Sequence, residues 1–236
     1  MKAGRLSTAA LVYIAGASIL AITVALIGWR SETPGSLGLF VVITGLGMLA
    51  HAYPVQGFRH QAYQVTLPFI VIAAATLSAP QLVAFIVLIH VAEQARLRRR
   101  LYIQWFNVCD YYLSAAAAAA VYHRATLLLP DDALGHIAAA LSAGCTFVLL
   151  NRVLLAGVLW LARGLSPVAS GLFQSELLAA DLIIAWVAGP MLVLTLEAGP
   201  WTVLVTAGPL LLARPALSAL LARRQAPERP AVARAA

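Results

Sequence analysis

The chain has 236 residues, 62% of them hydrophobic and only 11% charged, with a formal net charge of +7. Soluble domains are nearer half apolar and a quarter charged, so an ordinary water-soluble domain is excluded. The basic excess falls in short clusters between apolar runs, a pattern of membrane orientation rather than a nucleic-acid-binding face.

Long uncharged apolar windows recur, of the length needed to cross about 30 Å of hydrocarbon. They lack the alternation of an outer-membrane barrel, so the expected fold is all-α: a polytopic membrane helix bundle. The start, "MKAGRLSTAALVYIAGASILAITVALIGW", has the positive flank of a signal peptide, but its apolar run is too long. It reads as a retained first helix, about 7–29. The second covers about 36–53. A third at 62–78 and a fourth at 81–95, split at Ala79-Pro80, are short for a span, and a re-entrant or tilted pair is the alternative. The fifth covers about 104–122, the sixth 133–162, the seventh 174–196 and the eighth 201–221. Residues 1–224 form one membrane domain, and the Pro- and Ala-rich 225–236 reads as a disordered tail.

With the N-terminus in the cytoplasm, inner segments hold Lys2, Arg5, Arg59, Arg96, Arg98, Arg99, Arg100, Arg163, Arg214, Arg223, Arg224, Arg229 and Arg234. Outer loops hold only Arg30 and Arg124. That asymmetry orients the bundle, and an even helix count puts both termini in the cytoplasm of a bacterial inner-membrane protein. Cys109 and Cys145 fall within spans and are expected as free buried thiols. Ala17, Ala21 and Ala25 recur every four residues in the first helix, and "SAAAAAA" at 114–120 promises close helix packing.

Ionisable groups inside spans carry the functional signal. At about 1.5 Å of rise per residue, Arg152 lies roughly 15 Å from the inner end of its helix, Asp110 roughly 9 Å and Asp181 roughly 10 Å. His90 and Glu93 lie near the inner end of the fourth helix, so all five share the cytoplasmic half. An Arg at that depth needs a partner. The depths permit pairing with Asp110, Asp181 or both, with Asn107 and Asn151 as supporting hydrogen-bonding groups. The cluster reads either as a packing device or as a polar, ligand-binding pocket, and Arg152 could also snorkel towards the interface. His90 and Glu93 in "HVAE" have a spacing that metal sites use, but the pair alone reads as a polar helix end. His51, His60, His123 and His136, near helix ends, read as interfacial. No metal site and no cofactor are assigned.

No H-E-x-x-H, G-x-S-x-G or P-loop is present. The one lysine, Lys2, lies outside every span and excludes a retinal Schiff base. A non-enzymatic protein is the expectation.

Three stretches carry a resemblance: "LSAPQLVAFIVLIHVAEQARLRRRLYIQWFNVCDYYLSAAAAAAVY", "FVLLNRVLLAGVLWLARGLSP" and "AGPMLVLTLEAGPWTVLVTAGPLLLARPAL". In order and landmarks they resemble the multi-helix membrane region that precedes GGDEF and HD-GYP domains in bacterial cyclic-dinucleotide signalling proteins. The similar elements, within about 62–214, are the break before an apolar helix, the basic loop leading into "FN", Asn151 and the final "PLLLAR". The resemblance implies a sensory or anchoring module acting through a protein partner in the membrane or at its cytoplasmic face. It departs at Arg152, where a small or apolar residue is expected, and beyond Arg214, where no GGDEF or HD signature follows. The segment "LSAPQLVAFIVLIHVAE" is also similar to the substrate-binding subunits of energy-coupling-factor vitamin transporters, which implies a small-solute-binding subunit. An accessory subunit of a larger membrane complex is the third expectation.

Overall fold

The computed structural model describes residues 6–29, 35–53, 65–209 and 211, and the backbone of 55–56 and 62–63. The chain is all-α. Its helices are α1 (Thr8–Trp29), α2 (Leu37–Ala52), α3 (Leu67–Thr76), α4 (Ala79–Leu97), α5 (Leu101–Thr126), α6 (Ala133–Arg163) and α7 (Ser175–Ala198), followed by α8 (201–209). Between α2 and α3 a two-residue pairing joins β1 (Val55–Gln56) to β2 (Ala62–Tyr63) in antiparallel register. His60, the eighth helix beyond 211 and the tail lie outside the described residues.

Local chemistry sets the boundaries. Pro68 sits in the first turn of α3, where its missing N–H costs nothing. The helix expected from 62 therefore starts at Leu67, and extended Leu77 ends it. Ser78 N–H donates to Gln81 Oε1 at 3.2 Å, which opens α4. At its other end Arg98 adopts a left-handed conformation with φ 47°, and Gln94 Nε2 donates to Arg99 O at 2.8 Å across the turn into α5. Asp132 caps α6 by accepting from Gly135 N–H at 2.7 Å, and left-handed Gly164 ends it.

Helix α3 is the centre of the bundle. Every residue from Leu67 to Ala75 is buried, and α2, α4, α5, α6 and α7 all pack on it. Around it α5 lies on α6, α6 on α7 and α2 on α4. Two glycines permit close approaches. A Cβ on Gly47 would stand 2.7 Å from Phe85 of α4, and one on Gly144 would stand 2.9 Å from Ala185 Cβ of α7. Ala17 and Ala21 of α1 are buried, as are Ala115 and Ala118 of α5. Both cysteines are free.

Length and composition qualify α1, α6 and α7 to cross a membrane. Eight spanning helices were expected; the described residues hold eight helices, of which these three are long and apolar enough to cross a membrane. Helix α3, at ten residues, rises only about 15 Å, and α2 has sixteen residues. Helices α4 and α5 are long but less apolar, and bury His90 and Glu93, and Gln104 and Asp110, respectively. The outer faces agree with membrane association: Leu11, Val12, Ile19 and Ile27 of α1, Leu149 and Val153 of α6, and Ile183 and Trp186 of α7 are exposed.

Candidate functional site

The buried ionisable side chains gather at one end of the bundle, the end that carries the Arg98–Arg100 turn. They form a pair on α6 and α7, a pair on α5 and α6, and a cluster on α2, α4 and α5.

Arg152 Nη2 donates to Asp181 Oδ2 across α6 and α7. The same guanidinium donates to Leu172 O in the α6–α7 loop and, at 3.5 Å, to Leu177 O. Both partners of the ion pair are buried. The side chain therefore does two things at once: it neutralises Asp181 and ties the inside of α6 to the α6–α7 loop and the start of α7. A guanidinium offers donors in a fork that suits such shared acceptors.

Asp110 is held by a different residue. Asn151 Nδ2 donates to Asp110 Oδ2 at 3.0 Å, and Ser114 Oγ, one turn further along α5, lies 3.5 Å from Oδ1. Asn107 is half-buried and joins none of these groups among the described residues.

His90 and Glu93 are brought together with a residue read from the sequence as interfacial. His51, at the end of α2, places Nε2 3.5 Å from Glu93 Oε2, and its ring centroid lies 4.6 Å from that of His90. Arg99 Nη2 stands 3.0 Å from Glu93 Oε1. Gln104 Nε2, from the first turn of α5, donates to His90 O at 2.8 Å and to Glu93 Oε2 at 3.2 Å. His51, His90, Glu93 and Gln104 are all buried.

The ring nitrogens have distinct jobs. His90 Nδ1 lies 2.9 Å from Ile86 O. A carbonyl only accepts, so Nδ1 carries the hydrogen and a neutral His90 has a bare lone pair at Nε2. That Nε2 is buried without a hydrogen-bond partner among the described residues, an arrangement that costs about 1–3 kcal/mol unless something satisfies it. His51 Nδ1 pairs with Thr66 Oγ1 at 3.3 Å. Tyr111 packs edge-on against both imidazoles, at 5.3 and 4.7 Å, and against Phe147 of α6 at 5.5 Å. It links this cluster to the helix that bears Asn151 and Arg152.

His51 escapes a reading of local spacing because its companions lie on another helix. Helices α2 and α4 run in the same direction, so a histidine at the end of one arrives beside a histidine near the end of the other. Polar groups at the opposite end form a separate set: Tyr122 Oη lies 2.9 Å from His136 Nδ1, and Asp131 lies 3.3 Å from His136 Nε2.

These features define a class: a helical protein with three helices long and apolar enough to cross a membrane and with ionisable groups buried at one end. Comparison with protein-family models, curated proteins and solved structures finds no match.

Proposed function

We propose that the chain is a non-catalytic, multi-pass protein of the bacterial inner membrane, with both termini cytoplasmic, that serves as a sensory or anchoring module and acts through a partner protein. One observation carries the reading. Arg99, on the exposed turn between α4 and α5, ends on the buried carboxylate of Glu93, while Gln94 holds the backbone of the same turn. The polar groups inside the bundle are therefore in direct contact with a basic surface loop, which a partner at the cytoplasmic face would read. Buried ionisable residues in membrane bundles mark functional sites by default, and these come from five helices whose relative placement they register.

The test has two arms. Reporter fusions at residues 98–100 and at 164–174 should report the cytoplasm, and fusions at 127–132 the opposite side. A photo-crosslinking side chain at Arg100 should capture one discrete protein in cells, and Glu93→Gln should change that yield. Fusions at 98–100 and 127–132 on the same side would defeat the topology. Crosslinks to lipid alone would defeat the partner reading.

A further inference from the structure

We propose that His51, His90 and Glu93 form a binding site for a divalent transition-metal ion of the zinc type. The site shares Glu93 with the signalling reading, but its test can succeed or fail whatever a crosslinker captures.

The donor atoms are already close. One atom from each of the three side chains lies within 4.8 Å of the others, and His51 Nε2 and Glu93 Oε2 are 3.5 Å apart. Ligands at about 2.0–2.1 Å round a tetrahedral zinc ion are separated by about 3.3–3.4 Å. One edge of the polyhedron therefore stands near its final length, and closing the rest needs side-chain movement of about 1 Å.

The histidines are oriented as metal ligands are. In such sites the nitrogen that does not touch the ion donates to a carbonyl or a similar acceptor, which fixes tautomer and ring direction. His90 Nδ1 is held in this way by Ile86 O at 2.9 Å; His51 Nδ1 lies 3.3 Å from Thr66 Oγ1, a hydroxyl able to accept from it once Nε2 binds the ion. His90 Nε2 is left as a buried lone pair without a hydrogen-bond partner among the described residues. A metal ion satisfies that atom without adding a polar group to an apolar core.

The ligand set also chooses the ion. Two imidazoles and one carboxylate suit zinc, cobalt, nickel or copper, and disfavour magnesium and calcium, which take oxygen ligands. Three protein ligands leave one coordination position for water or an exogenous ligand. Two neighbours of Glu93 must adjust. Gln104 Nε2 gives up its 3.2 Å contact to Oε2 and keeps His90 O at 2.8 Å. Arg99, whose side chain is 42% exposed, swings to solvent as the ion takes over its charge.

The experiment uses the full chain in detergent, stripped with a chelator and titrated with Co2+. One Co2+ per chain should bind with the visible ligand-field band of a four-coordinate site, and Zn2+ should displace it. Loss of an orienting residue around a metal weakens binding by about 10–100-fold, so His90→Gln and Glu93→Gln, which remove ligands, should each weaken it by at least about 100-fold. Arg99→Gln should bind at least as tightly as the unmutated chain, and His123→Gln, at the far end of α5, should bind equally. The zinc X-ray absorption spectrum of the unmutated protein should show two imidazoles and an oxygen ligand, which decides the matter even where a variant fails to fold. Absence of Co2+ binding, undiminished binding in both ligand variants, loss of binding in Arg99→Gln, or a spectrum without imidazole would each overturn the proposal.

Discussion

Replacing Arg152 with Leu puts the α6–α7 ion pair to a quantitative test. The substitution removes the guanidinium that donates to Asp181 Oδ2 and also the donors to Leu172 O and Leu177 O. Removing one member of a buried pair costs about 3–5 kcal/mol, because the other is left buried without its counter-charge. Asp181→Asn should cost less, since its amide oxygen still accepts from Arg152 and the guanidinium keeps two backbone carbonyls. The double variant Arg152→Leu/Asp181→Asn should recover to within about 1–2 kcal/mol of the unmutated chain, because no buried charge remains. Reversible SDS unfolding in mixed micelles, followed by helical circular dichroism, gives the four free energies of the cycle. A coupling energy of at least about 2 kcal/mol is expected. Losses that simply add, within about 0.5 kcal/mol, would show that the two residues do not hold one another and would refute the reasoning.

Other substitutions test neighbouring contacts. Asn151→Leu removes the donor to Asp110 and should lower stability by about 1.5–3 kcal/mol in the same assay, whereas Asn107→Leu should change it by less than about 0.5 kcal/mol. Gly144→Ala forces a Cβ to within 2.9 Å of Ala185 Cβ and should cost about 1–3 kcal/mol in thermal unfolding. Gly45→Ala meets nothing within 4 Å and should stabilise by up to about 1 kcal/mol through helix propensity. Arg98→Gly, at φ 47°, relieves a left-handed conformation that costs about 1–2 kcal/mol in other residues and should leave the melting temperature unchanged or raise it.

Much of the helix order is written in the apolar runs. Helices α1, α2, α6 and α7 begin and end within a few residues of where the apolar runs start and stop. The stretch before α3 was misread because 62–66 is apolar enough for a helix, while Pro68 and the backbone pairing at 62–63 delay the start. Depth along a helix was legible, and direction around it was not. Asn151 and Arg152 are neighbours in sequence, and successive helical residues point about 100° apart. One faces Asp110 of α5 and the other Asp181 of α7, so a calculation from depth alone left both aspartates open. His51 shows the same limit from another side. It has no polar companion within its own helix turn, and its companions come from α4, where the fold rather than local spacing delivers them.

The buried position of α3 sets the order in which the protein can be built. Ten residues are too few to cross the hydrocarbon layer and too few to hold a helix in isolation. The segment is therefore no independent span. Its sheath includes α7, which begins at Ser175, about a hundred residues after α3 ends at Thr76. During synthesis the middle of the molecule therefore lacks part of its packing surface until α7 has been made. A nascent chain halted before Ser175 would present an unwrapped apolar segment to the cell's proteolytic quality control.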